Sequence, residues 1–247
     1  MITIARADLR RMLHRRGLIL TGLLAPALLA VAIIGIREAL HIVNPAEHPI
    51  AGGPDLLAFA TFVTLVSVVF GTVIGAIFGA EDVAGGTLRY ILLTGCSRLR
   101  LYLVRVPLVA LVALLVALPG LVLMIVGAFV LPHAGVPSPT MGEVWEQVLG
   151  LLVNVTVFAL LAYGIGVAIR STGGAIAVAL GLNLVGLNLL SAITLLVPAS
   201  EQWLLTPALT RVVSGGESSI LIALLTTVIW VGVFLSVGLV RALRTEA

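Results

Sequence analysis

The chain has 247 residues; 60% are hydrophobic, 10% are charged, and the formal net charge is +3. Soluble domains carry about 25% charged residues, so a mean hydropathy of +1.23 excludes an ordinary soluble fold and indicates an integral membrane protein. All 14 basic residues are arginine; with no lysine to set on a nucleotide's phosphates, the chain holds no standard P-loop of its own.

In chain order, the first element is a basic one. Ile2, Ala5, Leu9, Met12 and Leu13 recur at steps of three or four, with Arg6, Asp8, Arg10 and Arg11 largely between them. This predicts an amphipathic helix over 1–16, lying on a membrane surface; the plainer reading is a basic topology signal. An apolar run follows over 18–36. It resembles a signal peptide, with Ala30-Val31-Ala32 as a cleavage-like site, but the run is too long for a signal h-region. Further runs cover 56–80, 104–130, 147–169, 174–197 and 218–240. Each is long enough, at about 28 to 40 Å of helix, to cross a ~30 Å hydrocarbon core. Backbone groups in lipid must be satisfied within the segment, which predicts helices. The expectation is one domain over 1–247, an all-α membrane protein with six transmembrane helices.

The arginines orient it. Twelve of the 14 fall before the first run, between the second and third, after the fourth and after the sixth. Only Arg37 and Arg211 fall on the other side, with seven acids. By the positive-inside rule both termini are cytoplasmic, and an odd number of spans would break this alternation. A pI near 9.7 invites a nucleic-acid partner. Arginines dispersed over several loops beside apolar runs argue against one.

The connection at 81–103 holds more than a topology signal needs. Gly85 and Gly86 break the helix of the second run. Thr87 caps a short helix over Leu88–Thr94, and Gly95 ends it in a left-handed turn. Ser97 then caps the third span, whose first turns carry Arg98, Arg100 and Arg105. The lone Cys96 excludes an internal disulfide and a cysteine-rich zinc site.

These residues carry a resemblance. Glu81, Gly86, Thr87, Arg89, Leu92, Leu93, Ser97, Arg98 and Arg105 resemble the first cytoplasmic loop of ABC type-2 transporter permeases. That pattern is an acid closing the second span, then Gly-Thr, a basic residue, a Leu-Leu pair, Ser-Arg, and a further basic residue. Gly95-Cys96 stands where that family usually has a proline before Ser-Arg. The resemblance implies the transmembrane subunit of an ATP-driven exporter. It implies a coupling helix in this loop, docked on a separate ATP-binding subunit through Glu81, Gly86, Thr87, Leu88, Arg89, Ile91, Leu92, Ser97 and Arg98. It further implies two permeases, as a homodimer, with two ATPases that bind ATP and magnesium, so the chain itself is no enzyme and holds no cofactor. A plasma-membrane location goes with it.

Within the second span, Gly71, Gly75 and Gly79 are four apart and drift only about 40° per step around a helix. They form a smooth strip, serving either close packing within the chain or a surface at a transport cavity or subunit interface. Asn183 and Asn188 lie within the fifth span; one is expected to bond a neighbouring helix and the other to face the cavity. No charged or histidine side chain falls mid-span, which disfavours an ion-coupled carrier and suits an apolar or amphipathic cargo such as a drug, peptide antibiotic or lipid. The outer loop at 198–218 is semi-apolar. Trp203, Leu204, Leu205 and Pro207 resemble the short re-entrant helices at the exit of that family; the alternative is an interfacial Trp belt. His41, His48 and His133 gather on the outer side without metal-ligand spacing, so no metal site is expected. Asn44-Pro45-Ala46 is one copy of a water-channel motif in a charged loop, and no HExxH or Gly-x-Ser-x-Gly occurs. The alternatives to an exporter are a membrane scaffold or sensor that recruits another soluble partner, and a secondary carrier.

Overall fold

The computed structural model describes residues 2–45, 47, 53–86, 97–131, 137–192, 194, 197–214 and 220–244, with backbone alone at 2–5 and 198–199. Among these residues there is no strand. The helices are α1 (Ile2–Leu13), α2 (Arg16–Val43), α3 (Gly53–Ala58), α4 (Ala60–Ala84), α5 (Arg98–Val130), α6 (Met141–Ile169), α7 (Thr172–Gly181), α8 (Leu187–Ala192), α9 (Leu205–Ser214) and α10 (Ile220–Arg244). A π-helical turn, Leu182–Gly186, joins α7 to α8, and a 3₁₀ turn, Pro198–Trp203, precedes α9.

Six helical stretches are long and apolar enough to cross a membrane: α2, α3 with α4, α5, α6, α7 through α8, and α10. At 21 to 33 residues they run about 31 to 50 Å. Most exceed the apolar runs read from sequence, and in the third and fourth spans a polar cap, not hydropathy, sets the start. Ser97 Oγ accepts from the Arg100 amide and starts α5, six residues ahead of the run at 104. Thr140 and Glu143 form a reciprocal capping box that starts α6 at Met141, ahead of the run at 147. The fifth span goes the other way: its helix ends at Ala192, short of the expected 197.

Packing centres on α4 and α6. In lipid there is no hydrophobic drive between helices, so close backbone approach and interhelical polar contacts supply the attraction. The strip of α4 supplies that approach. A methyl group at Gly75 would run into the carbonyl oxygen of Ala159, and one at Gly79 into that of Tyr163. At Gly71 it would lie 3.2 Å from Val155 Cγ1. Gly166 of α6 returns the contact, its added methyl falling 2.5 Å from the Ala76 oxygen. Gly71, Gly75 and Gly79 thus pack closely against α6 within the chain. On another face of α6, Gly164 meets the backbone of Phe234, and Gly238 of α10 lies against Gly164. Gly120 of α5 leaves room for Pro26 of α2 and Val63 of α4, each 2.7 Å from a methyl placed there. The fourth span therefore sits between the second and sixth, while the first packs on the third.

Candidate functional site

The site is built at one end of the bundle, where α1, the end of α4 and the start of α5 meet. The first and last described helices meet there: Asp8 of α1 bonds Arg105, and Arg98 donates to the Ala242 carbonyl near the end of α10 at 3.4 Å.

The centre is Arg105, buried at 7% exposure. Its Nε and Nη2 donate to the two carboxylate oxygens of Asp8 at 3.0 and 3.2 Å, and Nη1 pairs with Asp82. Asp8 and Asp82 are buried as well. Asp82 Oδ1 accepts from Arg11 Nη1 at 2.6 Å, and Glu81 Oε1 accepts from Arg11 Nη2 and pairs with Arg15 Nη2, both at 2.8 Å. Three acids and three arginines, from α1, α4, α5 and the junction of α1 with α2, thus form one chain of contacts with balanced charge. Balance decides whether such a cluster is tolerated: removing charges from water is expensive, and only good geometry with further hydrogen bonds repays it. The two-pronged Asp8–Arg105 pair has that geometry. Partial burial works against the charge of Arg11, but the hydrogen bond to Asp82 and the negative charges of Asp82 and Glu81 outweigh it. Its guanidinium is accordingly held more firmly protonated than in water.

Two tyrosines floor the network. Tyr102 donates to the Leu235 carbonyl of α10 at 2.7 Å, and Tyr163 of α6 donates to the Tyr102 carbonyl at 3.4 Å. Their rings lie 5.2 Å apart. The network is therefore wired to four spans as well as to α1. What it can do is hold α1 rigidly to the hinge between the second and third spans.

Of the residues singled out in the sequence, Arg105 is the centre of this network and Glu81 joins it through Arg11. Ser97 caps α5 as expected, and Arg98 sits one residue on. Gly86 has φ +66°, a left-handed turn directly after α4. Thr87, Leu88, Arg89, Ile91, Leu92 and Leu93 lie outside the described residues. Asn183 donates to Thr72 Oγ1 of α4 at 3.1 Å, holding the π-helical turn to the second span. Asn188 is exposed, with its amide on the Leu184 carbonyl of its own helix. In the outer segment, Leu205 is buried whereas Trp203 is exposed. Leu204 and Pro207 are half-buried. The Trp230 indole donates to the Trp203 carbonyl at 3.1 Å and Thr226 to the Gln202 carbonyl at 2.9 Å, so the 3₁₀ turn is fastened to α10. His48 and His133 fall outside the described residues. Among those described, no group of three His, Cys, Asp or Glu is placed to hold a metal ion.

Sequence reasoning missed Asp8 and Asp82. Asp8 was placed on the polar face of α1, yet it turns toward the bundle. The signal was available: Asp8 lies four residues before Met12, which is also buried, so the two share one helix face. It is also the single acid of α1.

Fold and site together define an all-α, multi-pass membrane protein whose helical end is closed by a buried ion network. Comparison with protein-family models and with curated proteins finds no match.

Proposed function

We propose that this chain is the transmembrane subunit of an ATP-driven exporter of the ABC type-2 kind, carrying a hydrophobic or amphipathic substrate across the plasma membrane. In this reading both termini are cytoplasmic, two copies form the permease, and two separate ATPase subunits bind and hydrolyse ATP with magnesium. The observation that carries it is the network joining Glu81 and Arg105. The two residues frame the loop that bears the family-like pattern, and they meet through Arg11 and Asp82. A loop receiving force from a soluble motor needs a stiff connection to the spans. Here the acid pair ends the second span, Arg105 lies in the third, and Asp8 and Arg11 bring in the basic helix. The twelve arginines on that side agree with a cytoplasmic placement.

The test is reconstitution with the partner ATPase. Replacing Leu88, Ile91 and Leu92 by Asp is expected to abolish co-purification and permease-stimulated ATP hydrolysis while the bundle still folds. Unchanged co-purification and transport by that variant would refute a docking role, and substrate flux driven by an ion gradient without ATP would replace the exporter with a secondary carrier.

A further inference from the structure

At the end of the bundle opposite the ion network, a groove of about 280 Å³ opens between α4, α6 and α9. Thr61 and Thr64 line it from the start of α4, Glu146 and Asn154 from α6, and Thr206 from α9. Leu209 and Val213 of α9 form an apolar flank. The volume is nearly twice the ~150 Å³ of a cavity that takes up benzene, so a small organic molecule fits.

The spans set its depth. Trp145, next to Glu146 in sequence, is exposed, and exposed tryptophans mark the membrane–water boundary. Asn154 lies nine residues further along α6, about 13 Å deeper. A side-chain amide at that depth is expensive in lipid and faces protein or water. The groove is thus a polar inlet that runs from the membrane surface into the spans.

Its chemistry is one-sided. Among the described residues, no basic side chain lines it, and Arg211 of α9 is paired with Glu201. Glu146 has neither an ion pair nor a hydrogen bond among the described residues. Asn154 Nδ2 donates to the Gly150 carbonyl at 2.8 Å. A carbonyl can only accept, so the amide oxygen is the end left for a ligand. The inlet therefore offers an unpaired carboxylate, an amide oxygen and several hydroxyls. An ammonium, with three donors and a positive charge, is their complement, and charge-assisted bonds of this kind are the strong ones.

We propose that this groove binds an amphipathic primary amine, its ammonium on the Glu146 carboxylate and its apolar body against Leu209 and Val213. An anion would meet an unpaired carboxylate, and a purely apolar molecule would desolvate Glu146 and Asn154 without giving them partners. Because α9 supplies one wall and α4 and α6 the others, an occupant would tie α9 to the second and fourth spans. The proposal concerns the chain alone and does not rest on the exporter reading.

The test uses the full chain in detergent, with tryptamine as the amine and indole-3-ethanol, its neutral counterpart of the same ring and chain length, as the comparison. Titration calorimetry is expected to show tryptamine binding about tenfold more tightly, the scale of one charge-assisted contact. E146Q keeps the shape and removes the charge, so the preference should shrink to within about twofold; E146D should keep part of it. Helix content and thermal unfolding of E146Q should match wild type, because the residue is exposed. V213A should weaken both ligands alike, since the ring and not the charge meets it. Equal binding of the amine and the alcohol by wild-type protein, binding of neither, or a preference that survives in E146Q would overturn the proposal. Methylammonium binding as tightly as tryptamine would overturn the apolar half and leave a site for a simple cation.

Discussion

The two ends of the bundle use the same ion pairs under opposite conditions. At one end, the side chains of Arg105 and Asp82 are 9% and 5% exposed, and each has further charged partners. At the other, Arg211 pairs with Glu201 at 2.5 Å with 26% and 51% exposure, and Arg37 rests over the Phe59 ring, 5.1 Å from its centre. Water can compensate the loss of a partner at the second end. Nothing comparable reaches Arg105, so its cluster must stay complete. One end is thus a buried joint and the other a water-exposed surface, although a count of ion pairs would not separate them.

Deleting the centre of the joint should have the largest effect. Arg105→Ala strands Asp8 and leaves Asp82 with Arg11, and a broken buried pair costs about 3–5 kcal/mol; the expected outcome is a steep fall in thermal stability and monodisperse yield in detergent. The apolar exchange D8L/D82L/R105M sharpens the point, because replacing the most buried members of an ion cluster together is often close to neutral, and Arg11 keeps Glu81 as a partner. It should regain most of that stability but not transport if the joint carries force; recovery of both would make the network purely structural. Next comes Gly75→Val, whose side chain meets the Ala159 carbonyl; overpacking of this kind costs about 1–3 kcal/mol or more, and cysteine cross-linking between α4 and α6 should report their separation. Asn183→Leu removes the bond to Thr72 and should lower stability by about 0.6 kcal/mol, the mean for interhelical bonds in lipid. Smallest is Arg211→Ala at the outer end, expected within about 1 kcal/mol. A loss there as large as that for Arg105→Ala would erase the contrast between the ends.

The six spans were legible because a bilayer imposes a length and a polarity that hydropathy reports directly. The starts of the third and fourth spans were less so: Ser97 was recognised as a cap, whereas Thr140 and Glu143 passed unnoticed as ordinary polar residues. The π-helical turn at Leu182–Gly186 has no mark in the apolar pattern, since widening a helix turn changes neither composition nor run length. In the site, Glu81 and Arg105 stood out by their place in a motif. Asp8 did not, because helical spacing on a 12-residue segment shows which residues share a face but not which way that face turns.

The sequence by itself determined that the chain crosses a membrane six times, where the positive charge gathers, and that small residues line one face of the second span. Those are properties of local composition and spacing. Only the tertiary structure decided that the glycine strip meets the fourth span and that an aspartate from the basic helix closes a circuit with the second and third spans. Both depend on which surfaces meet across 80 to 100 residues of chain, such as the 97 between Asp8 and Arg105. Burial converts an ordinary acid into a required partner only once those surfaces have met.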